Sequence, residues 1–162
     1  MLRSNTAKRW GFHEQDNPPQ WVRDNLYTLC IEVLQPLRDE LGNPLKVTSG
    51  YRCPRVNAAV NGRYDIINKD GTTKVVQTSQ HTKGEAADIE FWYKGEERND
   101  LLIESYKNLT REGYQFDQLI KEYGTIENPS WVHISYRKDR LRNQVLRAYH
   151  VGKKTTYVTT LL

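Results

Sequence analysis

Three segments of this chain carry residues suited to hold a metal ion: Ser79-Gln80-His81, Gly84-Glu85-Ala86-Ala87-Asp88-Ile89 and Trp131-Val132-His133-Ile134-Ser135. His81, Asp88 and His133 together offer two imidazole nitrogens and one carboxylate oxygen. That set leaves one corner of a zinc tetrahedron open for water, the condition a hydrolytic zinc site needs. Only four histidines occur, at 13, 81, 133 and 150, and two of them fall in these segments.

Each ligand also has a plainer reading. His81 with Asp88 fits a loop histidine beside a capping or ion-paired aspartate. A carboxylate between Ala87 and Ile89 is nevertheless costly to bury without a partner, and a cation is one such partner. On a strand over Trp131–Tyr136, alternation puts Trp131, His133 and Ser135 on one face and Val132, Ile134 and Tyr136 on the other. A histidine flanked by Val and Ile is commonly a satisfied core side chain; the second histidine segment favours the ligand reading. Spacing alone does not bring the segments together, so the fold must.

The elements that would do so are legible in outline. Asn17-Pro18-Pro19 breaks the chain, and Leu26, Leu29, Cys30, Val33, Leu34 and Leu37 recur at helical spacing over about 21–41, ended by Gly42-Asn43-Pro44. Residues 45–49 read as a strand and 54–60 as a short helix opened by Pro54. Residues 63–78 read as an insertion: a hairpin turning at Asn68-Lys69-Asp70-Gly71. Residues 86–93 read as a strand with Ala87, Ile89 and Phe91 on one side and Asp88 on the other. Residues 99–111 read as a helix with Leu101, Leu102, Tyr106 and Leu109 apolar, closed by Gly113. Strands at 116–123 and 131–136 are joined by a loop that suits an antiparallel hairpin. The tail from 141 to 162 reads as a C-terminal extension with a second hairpin turning at 150–153, a helix over 141–146 being the alternative. The expectation is one α+β domain over 1–162, an antiparallel sheet with helices packed on one side.

Composition narrows the classes. Of the 162 residues 37% are hydrophobic and 27% charged, and no apolar run approaches a membrane span. The net charge of +4 and pI near 9.0 suit an anionic partner, either nucleic acid or a cell-wall polymer. A phosphate loop, an RNA-reading aromatic motif and a one-sided basic helix are all missing, which argues against nucleic acid. Cys30 and Cys53 read as buried thiols, a bridge between them being the alternative. Met1–Thr6 carries no apolar run, so no secretory leader is expected. The expected location is the cytoplasm until lysis, as for a phage or prophage enzyme, or the periplasm or exterior if a leader is missing.

Thr48-Ser49-Gly50-Tyr51-Arg52, Ser79-x-His81-x-x-Gly84-x-Ala86-x-Asp88-Ile89 and Trp131-Val132-His133-Ile134-Ser135 resemble, in order and spacing, the zinc D-Ala-D-Ala carboxypeptidase and L-alanyl-D-glutamate endopeptidase superfamily. That group includes the vancomycin-resistance dipeptidases and the hedgehog domain; this chain looks most like its phage- and bacteroidete-type branch, over about residues 5–136. The resemblance implies one zinc ion on His81, Asp88 and His133. It implies that Arg52 holds a substrate carboxylate or carbonyl and that Ser79 contacts substrate. It also implies peptides of bacterial peptidoglycan as partners, with a monomer expected. Trp131 is expected to form a substrate-binding wall.

The general base departs from the family. Dipeptidase-type members have a glutamate three residues before the last histidine, where this chain has Ser130. Others often have a histidine two before it, where this chain has Trp131. The hedgehog-type layout points instead to Glu122 at the end of the preceding strand, with Asp117 and Glu127 as the other candidates. A base is needed because two histidines and a carboxylate leave zinc with a net charge near +1, so its water is less acidified than in a three-histidine site. A carboxylate that takes that proton supplies about 10²–10⁴-fold. The alternative function is a zinc-containing binding domain that lacks catalysis.

Overall fold

The apolar stripe expected over 21–41 forms one helical run with a defect in it. After α1 (Asn5–Trp10) and a 3₁₀ turn (His13–Gln15), α2 (Gln20–Leu29) passes through a π segment (Cys30–Leu34) into α3 (Gln35–Leu41). Pro36 is the physical cause: it lacks an N–H and its ring crowds the preceding turn. The chain widens there, and the Gln35 N–H bonds back five residues to Cys30 O. This computed structural model describes residues 1–60, 64–69, 72–77 and 79–162.

β1 (Lys46–Ser49) and α4 (Pro54–Ala59) follow as expected, then β2 (Tyr64–Lys69) and β3 (Thr72–Gln77), which pair antiparallel. The turn expected at Asn68-Lys69-Asp70-Gly71 falls on residues 70–71, outside the described residues. β4 (Ala86–Glu90) is shorter than expected. Phe91 N donates to the Asn99 side chain rather than to a neighbouring strand, while Phe91 O accepts from Arg98 N, which turns the chain. β5 (Trp92–Tyr93) and β6 (Glu96–Glu97) form a small hairpin there, and α5 (Asn99–Arg111) has the expected bounds. β7 (Gln118–Glu122) and β8 (Trp131–Ser135) form the expected antiparallel hairpin.

The tail is a hairpin, β9 (Gln144–Val151) and β10 (Lys154–Thr159), and no helix forms over 141–146. The six-stranded sheet runs β1-β4-β8-β7-β9-β10. It departs from a wholly antiparallel sheet at one seam, since β7 and β9 pair parallel. One face packs Ala87, Ile89, Leu119, Val132, Ile134 and Val145 against Leu29, Leu37, Leu102 and Leu109 of the long helices. Each buried Val, Leu or Ile among them stabilises by about 1.5–3 kcal/mol. Cys30 and Cys53 are both free thiols. Among the described residues no helix is long and apolar enough to cross a membrane.

Candidate active site

Strand alternation aims most of the site. Ala87 and Ile89 are buried in the core, so Asp88 between them points to the opposite face of the sheet. Asp88 pairs in register with His133, which on its other side pairs with Ile120; Glu122 pairs with Trp131. Side chains of one parity share a face, so Asp88, His133, Trp131 and Glu122 gather on one surface.

His81 arrives from outside the sheet. A 3₁₀ turn (Gln80–Lys83) follows Ser79 and ends at Gly84, whose φ of +71° is the left-handed conformation glycine tolerates best. Gly84 also has no room for a side chain: a Cβ there would lie 2.5 Å from Val22 O of α2. His81 Nδ1 donates to Gly50 O at 2.7 Å, which leaves the Nε2 lone pair facing the sheet. Ala86 and Ala87 follow the turn rather than form part of it. Both lie in β4 and are fully buried, where small side chains permit close packing.

The three expected ligands converge. His81 Nε2 lies 3.2 Å from both His133 Nδ1 and Asp88 Oδ1, and His133 Nδ1 lies 3.0 Å from Asp88 Oδ1. Two ligands about 2.0–2.1 Å from a tetrahedral ion stand about 3.3 Å from each other. The observed triangle therefore matches one face of a coordination tetrahedron within a few tenths of an ångström, and could hold a metal. The ionisation states suit it as well. Burial pushes the His81 pKa down, favouring the neutral imidazole a metal requires. Burial also penalises the Asp88 carboxylate, but its close pairing with His81 and His133 outweighs that and holds its pKa well below the usual range.

Arg52 has a feature the sequence did not reveal. Its Nη2 donates to Asp88 Oδ2 at 2.5 Å and its Nε to Ser49 Oγ at 2.8 Å. It thus fixes the aspartate oxygen that does not face the histidines, and so orients the one that does. The Gly50–Cys53 segment is itself held by fully buried Gln15. That side chain donates to Leu2 O and Tyr51 O and accepts from Cys53 N.

Of the three base candidates, Glu122 reaches the cleft. Burial, reinforced by the Asp88 charge and opposed by His133 and Arg52, raises its pKa to about 7. Asp117 is fully buried and saturated by Arg142, Arg140 and Gln80. Burial raises its pKa, and the two guanidinium groups more than reverse that. Glu127 is exposed in the β7–β8 loop. The cleft encloses about 970 Å³, and Ser79, Arg52 and Trp131 all line it. So do Arg140, Arg142, Leu146 and Thr155 of the tail, which no motif marked.

Residues 1–135 match the model of a protein family described as Peptidase M15. No curated protein matches the chain.

Proposed function

The chain belongs to the peptidase M15 family of zinc-dependent metallopeptidases, and we propose that it hydrolyses peptide bonds of bacterial peptidoglycan. The observation that carries this reading is the convergence of His81 Nε2, Asp88 Oδ1 and His133 Nδ1 within 3.2 Å, in a cleft that also presents Arg52 and Glu122. Those three atoms would hold zinc, which when bound would supply Lewis acidity and lower the pKa of water. Glu122, on the same face of the sheet as Asp88 and His133, takes the proton from the attacking water and returns it to the leaving amine nitrogen. Arg52, braced by Ser49, offers its remaining donors to the substrate's carboxylate or to the developing oxyanion. Ser79 and Trp131 form parts of the wall against which the peptide lies.

The basic charge suits a wall polymer rich in carboxylates. The tail adds β9 and β10 to the same sheet, which supports reading 1–162 as one unit.

The test is digestion of purified sacculi by the zinc-loaded protein, with mass spectrometry of the released peptides. New peptide termini are expected, and their masses name the bond: D-Ala-D-Ala, L-Ala-D-Glu or a crosslink. Glu122→Gln should reduce the rate by about 10²–10⁴-fold while zinc still binds. Zinc-loaded wild type that releases nothing would leave the non-catalytic binding domain, the reading favoured by Ser130 and Trp131 standing where relatives carry their base.

A further inference from the structure

One end of the cleft carries more positive charge than the fold requires. Asp117 is fully buried and needs neutralisation, and Arg142 alone provides it through two parallel bonds, from Nε to Oδ1 and from Nη2 to Oδ2 at 3.0 Å. Gln80, next to the ligand His81, adds a third bond at 2.6 Å. Arg140 adds a second cation through one nitrogen, Nη2, at 2.9 Å, and its side chain is 43% exposed. Two guanidinium groups against one carboxylate leave a surplus of one positive charge at the cleft wall. Among the described residues no second carboxylate is ion-paired to either arginine.

The position is defined by the sheet. Asp117 and Gln118 precede Ile120, the register partner of His133, by three and two residues. At about 3.4 Å per residue, the arginines sit roughly 7–10 Å along the strands from the level of the histidines. An extended peptide covers that span in two to three residues. Both arginines also lie beyond residue 135, outside the segment that matches the family model, so this wall belongs to the chain's own tail.

We infer that Arg140 and Arg142, braced by buried Asp117, form a carboxylate-binding subsite that selects peptides carrying a free carboxylate two to three residues from the bond presented to His81, Asp88 and His133. The inference deepens the peptidase reading and rests on it for the identity of the peptide. Arg142 supplies the preset geometry, and Arg140, with donors to spare, closes on the substrate. Its planar donors match a carboxylate in a way a carboxamide cannot reproduce.

The test uses the stem peptide L-Ala-γ-D-Glu-L-Lys-D-Ala-D-Ala and two versions of it, one amidated at the glutamyl α-carboxyl and one at the C-terminus. Binding to the zinc-free protein is measured by calorimetry, and turnover by the zinc-loaded protein is measured separately. One of the two amidations should weaken binding about ten-fold or more and raise KM to match. The same amidation should make no difference to Arg140→Gln, in which Arg142 and Gln80 still hold Asp117. Equal binding of all three peptides to wild type, or an acid preference that survives in Arg140→Gln, overturns the subsite. Failure of the peptidase reading looks different: the acid preference persists in binding while no peptide is cut.

Discussion

Gly84→Ala is the sharpest probe of how the first histidine is placed. Gly84 has φ +71° and ψ 14°; Gly42, at the end of α3, has almost the same backbone, φ 62° and ψ 12°. A Cβ at 42 meets nothing within 4 Å, whereas one at 84 would lie 2.5 Å from the Val22 carbonyl oxygen and 3.0 Å from Val22 Cγ1. Both alanine variants carry the left-handed backbone cost of about 1–2 kcal/mol. Gly84→Ala alone adds overpacking against backbone, about 1–3 kcal/mol more. Its total is about 2–5 kcal/mol, or a Tm lowered by roughly 4–20 °C for a chain of this size. The clash is relieved by moving the 80–84 turn away from α2, which carries His81 out of register with Asp88 and His133. Zinc affinity should therefore fall with stability in Gly84→Ala and stay near wild type in Gly42→Ala. Urea denaturation and competition with a chelating dye read the two quantities. Equal destabilisation of the two variants, with unchanged zinc affinity, would refute the claim that close packing on Val22 positions His81.

Other consequences are independent of that turn. Gln15→Leu deletes three hydrogen bonds of a fully buried side chain and strands the Leu2 and Tyr51 carbonyls and the Cys53 N–H. A loss of about 2–4 kcal/mol in chemical denaturation is expected, and a neutral result would show that this loop is held by other contacts. Asp117 has a folded pKa below its ordinary value of 3.8, so its contribution to stability is present above that value and is lost as the pH falls through the lowered one. The stability gap between wild type and Asp117→Asn should accordingly narrow as the pH drops below about 4; a gap that widens there would contradict the assignment. Zinc at a hundred times its Kd should add about 2.7 kcal/mol of stability, removable with a chelator, and mutating His133 to Ala should abolish the gain. A zinc-induced Tm shift that survives in that variant would place the ion elsewhere.

Much of this was readable from residues, for identifiable reasons. His81, Asp88 and His133 stand out because histidine is rare here and because a carboxylate between two core residues has few stable explanations. Helix α5 was legible to its ends, since its apolar positions repeat without interruption. Glu122 was singled out by the hedgehog-type layout, and the pairing of β7 with β8 sets it opposite Trp131 on the face that His133 shares. The early end of β4 was not legible: it depends on Asn99 capturing the Phe91 N–H, a bond between residues of different elements. The resemblance implied only a substrate contact for Arg52, whereas the structure also bonds it to Asp88 while it lines the cleft.

By itself, then, the chain determined the local periodicities, the two faces of each strand and the donor types gathered in three short segments. Only the tertiary structure decided which donors meet. The pairing of Asp88 with His133, the parallel docking of β9 on β7, and the arrival of Arg140 and Arg142 at Asp117 are contacts between distant segments. Alternation along a strand tells which face a residue takes but not which strand lies beside it or in which direction. That choice is made by burying the shared apolar face beneath the long helices, a property of the whole chain.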